Sequence, residues 1–93
     1  MKACLTLAPR FCKGHRELGR LLLEEARVTE AVEALSAYAR TCEKTPDAHL
    51  QLGQARMRAG DVAGAREALG SCVELGENAP EGAECRRTLD LLR

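Results

Sequence analysis

The sequence predicts an all-α fold of stacked antiparallel helix hairpins closed by a C-terminal capping helix, and three observations predict it. Between His49 and Leu75 two apolar runs follow one another: Leu50, Leu52 and Met57 with the small residues Gly53 and Ala55, then Val62, Ala65, Leu69, Cys72 and Val73, spaced three or four apart. The first gives one apolar, tightly packable face, and the second has the spacing of an amphipathic helix. Gly60-Asp61 interrupts the two runs; glycine suits the left-handed residue that ends a helix, and aspartate suits the N-cap of the next. The pattern then recurs. His15, Leu18, Gly19, Val28, Ala31, Glu33, Ala34, Leu35 and Pro46 stand 34 residues before His49, Leu52, Gly53, Val62, Ala65, Glu67, Ala68, Leu69 and Pro80. A lone hairpin cannot bury its apolar face, whereas in-phase copies can stack into a continuous core.

Taken in order, residues 1–9 form the tail of a preceding unit, with a stub helix at Ala3–Ala8 and a turn at Pro9-Arg10-Phe11. Its apolar residues Ala3, Leu5 and Leu7 lack a partner helix, so self-association is expected at that end. The first full repeat is 12–45. Its first helix runs from about Cys12 to Glu25, with Leu18, Leu21 and Leu22 toward the core and Lys13, Arg16 and Arg20 on one face. Ala26-Arg27 turns the chain, and the second helix, about Val28 to Cys42, turns Val32, Leu35 and Ala39 inward. The second repeat is 46–79. Thr45 is its expected N-cap, and Pro46 takes the first helical position, where a missing N–H costs nothing. Gly76-Glu77-Asn78-Ala79 is a loop. Pro80 opens the last element, 80–93, a helix to about Leu92. There Leu89, Leu91 and Leu92 can cover the preceding hairpin while Arg86, Arg87 and Asp90 face water, as a capping helix does.

Residues 1–93 make one domain. Hydrophobic residues are 45% and aromatics 2%, so the core is Leu, Ala and Val, small enough for close helix approach. Lys plus Arg and Asp plus Glu are 14 each; the balance gives no overall attraction to nucleic acid or acidic membranes. No apolar run reaches the roughly 18–20 residues of a membrane span. The apolar run after Met1-Lys2 is too short for a signal peptide. The chain reads as the C-terminal part of a longer repeat protein, so a signal or anchor would lie on a preceding segment.

No Ser-His-Asp pattern, phosphate loop or H-E-x-x-H is present, and acids such as Glu24-Glu25 sit on solvent-facing helical positions. The expectation is therefore no catalysis, no cofactor and no small-molecule substrate. His15, His49, Cys42, Cys72 and Cys85 could supply metal ligands, but the cysteines lack paired ligand spacing and the histidines fall in repeat register. The expected reading is structural histidines and no metal. Five cysteines is a high count, commoner where disulfides persist. Cys12 opens the first repeat and Cys42 closes it, and an antiparallel hairpin brings those ends to one side. Cys72 lies late in a second helix, and Cys85 in the first turns of the helix that packs next. Both pairs are disulfide candidates, each needing Cα atoms within about 7 Å. The alternative is free thiols used as small apolar packing residues, the reading taken for Cys4.

The 34-residue period with two helices per unit resembles the tetratricopeptide repeat, W-x2-L-G-x2-Y…A-x3-F…P. One copy reads His15-x2-Leu18-Gly19-x2-Leu22 then Ala31-x3-Leu35; the next reads His49-x2-Leu52-Gly53-x2-Arg56 then Ala65-x3-Leu69. The likeness covers about residues 2 to 76. The sequence departs from it where histidines replace the first aromatic, where Leu22 and Arg56 replace the next, and where Ala26 replaces the turn glycine. Pro46 and Pro80 come three residues late. The resemblance implies an α-solenoid that acts as a protein–protein interaction scaffold. Its first helices would line a concave groove for a protein or peptide partner. On that reading Lys13, Arg16, Arg20 and Leu23 line it in one repeat and Leu50, Gln54, Met57 and Arg58 in the next. Lys13, Arg16 and Arg20 make a basic stripe fit for a carboxylate or acidic segment, with a merely solvated charged face as the alternative. The family's carboxylate clamp is not reproduced, because Gln51, Glu81 and Cys85 stand at its places. The order His15…Leu18-Gly19, Cys42…Pro46, His49-Leu50-Gln51-Leu52-Gly53, Cys72, Cys85 is also similar to bacterial outer-membrane pilotin-type repeat lipoproteins. These assist secretin assembly for type IV pili. That likeness implies a periplasmic setting and a secretin or other envelope-complex subunit as partner. A cytosolic co-chaperone or scaffold and a self-associating structural module are the rival readings.

Overall fold

The computed structural model describes residues 12–92. They form five helices: α1 Cys12–Glu24, α2 Val28–Thr41, α3 Pro46–Arg58, α4 Val62–Leu75 and α5 Pro80–Leu91. No strand occurs among the described residues. The expected stub at Ala3–Ala8, the turn at Pro9-Arg10-Phe11 and Cys4 lie outside them. Each helix packs on its sequence neighbour, and α3 also touches α1 and α5.

The α1–α2 and α3–α4 turns are built alike. In the first, Ala26 N–H donates to the Leu23 carbonyl at 3.0 Å and Arg27 N–H to the Leu22 carbonyl at 2.9 Å; in the second, Gly60 donates to Met57 at 3.0 Å and Asp61 to Arg56 at 2.9 Å. This is the bond pattern of a Schellman C-cap, which needs one left-handed residue. Gly60 takes φ 85° freely, but Ala26 is held at φ 62°, at a cost of roughly 1–2 kcal/mol for an L-residue. The starts of the second helices differ as well. Asp61 Oδ1 accepts from Gly64 N–H at 2.9 Å, a cap contributing about 1 kcal/mol. Arg27, in the equivalent place, cannot accept; it clamps Glu30 through Nε at 2.6 Å. Thr45 stands at the N-cap of α3 with extended backbone, but its hydroxyl caps nothing; the Ala48 N–H at the third helical position donates to the Thr45 carbonyl at 3.0 Å instead.

Close approach within each hairpin rests on glycine facing leucine. A Cβ at Gly19 would collide with the Leu35 side chain, and a Cβ at Gly53 with that of Leu69. Leu35 and Leu69 are fully buried. The same contact thus recurs 34 residues on. One core cluster joins Leu22, Leu23, Ala31, Leu35, Tyr38, Ala48 and Leu52 across α1, α2 and α3. A second joins Leu50, Leu69, Cys72 and Cys85 across α3, α4 and α5, with Met57, Val73, Leu89 and Leu92 against it.

Four apolar residues expected inside are not. Leu18 and Leu21 are 49% and 51% exposed: α2 packs on Gly19, Leu22 and Leu23, and no described element lies over the other side of α1. Val62 opens α4 at the hairpin tip and is 41% exposed. Leu91 points off the last turn of α5, 82% exposed, while Leu89 and Leu92 do the covering.

Candidate partner-binding surface

The eight residues placed on a groove by the repeat register meet very different fates. Lys13, Arg20 and Arg58 are exposed, and Gln54 and Met57 are half-buried. Leu23, Gln54, Met57 and Arg58 line one open depression of ≈ 380 Å³ between the C-terminal halves of α1 and α3. Leu50 does not line it. It is 4% exposed, because α5 brings Cys85 into the cluster that holds it.

Arg16 is not a free member of a basic stripe either. Its Nε lies 3.1 Å from Asp47 Oδ2. The nitrogen is shut off from solvent and out of hydrogen-bonding alignment with the carboxylate, so the contact is an ion pair rather than a hydrogen bond. Tyr38 completes it: its hydroxyl donates to Asp47 Oδ2 at 2.7 Å, and Gln51 Nε2 donates to Oδ1 at 3.3 Å. Asp47 in the first turn of α3 therefore gathers side chains from α1, α2 and its own helix. Burial first, then the bond to Asp47, raises the Tyr38 phenol above its ordinary value.

That shift gives a measurable pH dependence. A raised folded value means the neutral phenol is favoured by folding. Its stabilisation is complete below the unfolded value of about 10 and is lost as pH rises above it. Tyr38 is the chain's one tyrosine and there is no tryptophan, so phenolate absorbance reports this contact alone. In the folded protein it should rise well above pH ~10, together with loss of helical dichroism, and in denaturant at about 10. A normal titration in the folded protein would show that the hydroxyl is open to solvent.

A second cleft, of ≈ 450 Å³, lies between α2 and α4 over α3, where Arg40, Glu43, His49, Arg56, Glu67 and Ser71 contribute to its lining. Two of its polar side chains are held by backbone carbonyls. Arg56 donates to the Gly64 carbonyl at 3.1 Å, and His49 Nε2 lies 2.9 Å from the Glu43 carbonyl. His15 is half-buried on α1. Among the described residues no group of three His, Cys, Asp or Glu is placed to hold a metal, and no helix is long and apolar enough to cross a membrane. Both expected cysteine pairs lie at disulfide distance. Cα atoms are 6.0 Å apart for Cys12–Cys42 and 6.1 Å for Cys72–Cys85. The first ties the start of α1 to the residue after α2, and the second ties α4 to α5.

Sequence reasoning missed the Asp47 cluster and the α2–α4 cleft. One signal for the cluster was available. Tyr38, the chain's one tyrosine, stands at the place that Cys72 fills in the next copy, and a buried tyrosine hydroxyl needs a polar partner.

No family model, curated protein or solved structure matches the chain.

Proposed function

We propose that this chain is a non-enzymatic, tetratricopeptide-like α-solenoid scaffold that captures a protein or peptide segment along the surface shared by α1 and α3. The observation that carries this reading is the depression lined by Leu23, Gln54, Met57 and Arg58: an apolar floor with a polar edge, the composition of a peptide site. Arg58 lines its edge and favours an acidic segment or a C-terminal carboxylate, while exposed Lys13 and Arg20 on α1 alternate with exposed Glu17 and Glu24. The two cysteine pairs at disulfide distance support an oxidising compartment. They make an envelope-assembly partner, such as a secretin handled by a pilotin-type protein, the narrower form of the proposal.

The test is selection of peptides from a display library on the oxidised protein, followed by affinity measurement on variants. Lys13→Glu, Arg20→Glu and Arg58→Glu together should weaken the selected peptides at least tenfold, about 1.4 kcal/mol. The helical fold should survive, since exposed charges contribute little to stability. Added salt should weaken wild-type binding in the same direction. Arg16→Glu is a poor probe, because it sets a second carboxylate against Asp47. Glu33→Lys and Glu67→Lys, on α2 and α4, should leave affinity unchanged. Peptides that ignore the first-helix changes and are lost with the second-helix ones would move the working surface to the α2–α4 side.

A further inference from the structure

The two cysteine pairs are covered unequally. Cys72 and Cys85 are both 0% exposed, in a cluster with Leu50 and Leu69 against which Met57, Val73, Leu89 and Leu92 pack. Cys42 is 6% exposed and belongs to the first core cluster. Cys12 alone of these four is half-buried. It opens α1 and rests against the cluster that holds Cys42.

This difference bears on chemistry, because a disulfide is opened by a thiolate that attacks one of its sulfurs. The attacking sulfur comes in along the line of the bond, from the side away from the sulfur that leaves. For Cys42, Cys72 and Cys85 that approach is blocked by close-packed side chains. For Cys12 it comes from the start of α1, beside exposed Lys13 and Gly14. Among the described residues, the charges nearest in sequence to this pair are Lys13, Glu43 and Lys44, all exposed. Their balance does not repel an anionic thiolate.

We infer that Cys12–Cys42 is a thiol-exchange site of the folded protein, entered at Cys12 Sγ by a small thiol of the glutathione class, and that Cys72–Cys85 is closed to such exchange. In the first step the thiolate bonds to Cys12 Sγ and the Sγ–Sγ bond breaks. Cys42 leaves as a thiolate and takes a proton from water. A second thiolate then attacks the outer sulfur of the mixed disulfide, which releases the oxidised thiol dimer and the Cys12 thiolate. Two thiols are oxidised and one bridge is reduced.

Opening this bridge acts on one end of α1. The helix is held at its start by Cys12–Cys42, farther along by the Arg16–Asp47 ion pair, and by Gly19 seated against Leu35. Without the bridge its first turn loses a tether, while Leu22 and Leu23 keep the rest of it in the core. The inference rests on the burial of the sulfurs and not on the groove proposed above, so either can fail alone.

The test uses the oxidised full chain carrying Cys4→Ser, which removes the fifth cysteine. It is incubated with reduced glutathione without denaturant, quenched in acid at intervals, alkylated and mapped as peptides. Glutathione should appear on Cys12 and a free thiol on Cys42, at least about tenfold faster than thiols appear at Cys72 and Cys85. In denaturant the two pairs should open at comparable rates. Glutathione arriving first on Cys42 overturns the inference, as does opening of both pairs at one rate in the folded protein, or of neither. A rate ratio that survives in denaturant also overturns it, because the fold would not be its cause. Hydrogen exchange gives an independent reading. With only Cys12–Cys42 open, amides in the first turn of α1 should exchange faster while those of α4 and α5 are unchanged. Faster exchange across all five helices would mean that the bridge opens by unfolding, and that too overturns the inference.

Discussion

Reducing both cysteine pairs should bring this domain to the edge of unfolding at room temperature. Loop closure removes freedom from the unfolded chain, and the gain grows slowly with loop length. For sequence separations of 30 and 13, the chain-entropy estimate is about 3–4 kcal/mol and about 3 kcal/mol. Domains of this size are stable by only about 5–15 kcal/mol in all, and this core is made of leucine, alanine and small residues around a single tyrosine. The urea midpoint followed by helical dichroism should therefore fall sharply in reductant. Cys72→Ala with Cys85→Ala should cost about 3 kcal/mol alone and loosen α5 first, since that bond joins it to α4. An oxidised and a reduced protein with the same midpoint would show that the native packing does not need the bridges.

Gly53→Leu should be the most damaging single substitution within the α3–α4 hairpin. A Cβ at that position would meet Leu69 Cγ and Cδ2 at 2.8 Å. Leu69 is fully buried, so it cannot move aside without displacing its neighbours. Overpacking of this kind costs about 1–3 kcal/mol, occasionally more; a whole leucine in place of a hydrogen belongs at the upper end. Gly70→Ala is the matched control. A Cβ there meets nothing within 4 Å, and alanine in a helix interior is favoured over glycine by roughly 0.5–1 kcal/mol. The two variants should move the urea midpoint in opposite directions. An unchanged midpoint for Gly53→Leu would mean the helices are further apart than the Gly53–Leu69 contact implies.

Helices, turns and cysteine pairs were legible in the sequence because each is set by local chemistry or by the 34-residue recurrence. Gly60 ends a helix, Asp61 caps the next, and the hairpin geometry then brings Cys12 to Cys42. Periodicity also correctly groups Leu18 with Leu21 on one face of α1. It cannot say which neighbour covers that face, and so it sent both leucines into the core. Arg16 was misjudged for a related reason. Its partner Asp47 lies on another hairpin, and an ion pair between distant side chains leaves no mark on local spacing. Leu50 shows the limit at the candidate surface. Register puts it on the same helix as Gln54 and Met57, but its burial depends on where α5 comes to rest.

The two cross-links also decide how the molecule would yield to tension. A force drawing its ends apart passes through each sulfur bridge and bypasses the chain looped between its two cysteines. Residues between Cys12 and Cys42, and between Cys72 and Cys85, cannot be drawn out. Lengthening is confined to the ends and to the stretch from Cys42 to Cys72, which carries all of α3. The Arg16 and Tyr38 contacts to Asp47 fasten that stretch to the first closed loop, so they would take the strain before α3 unravels. Under load the protein is two short inextensible segments joined by one yielding link.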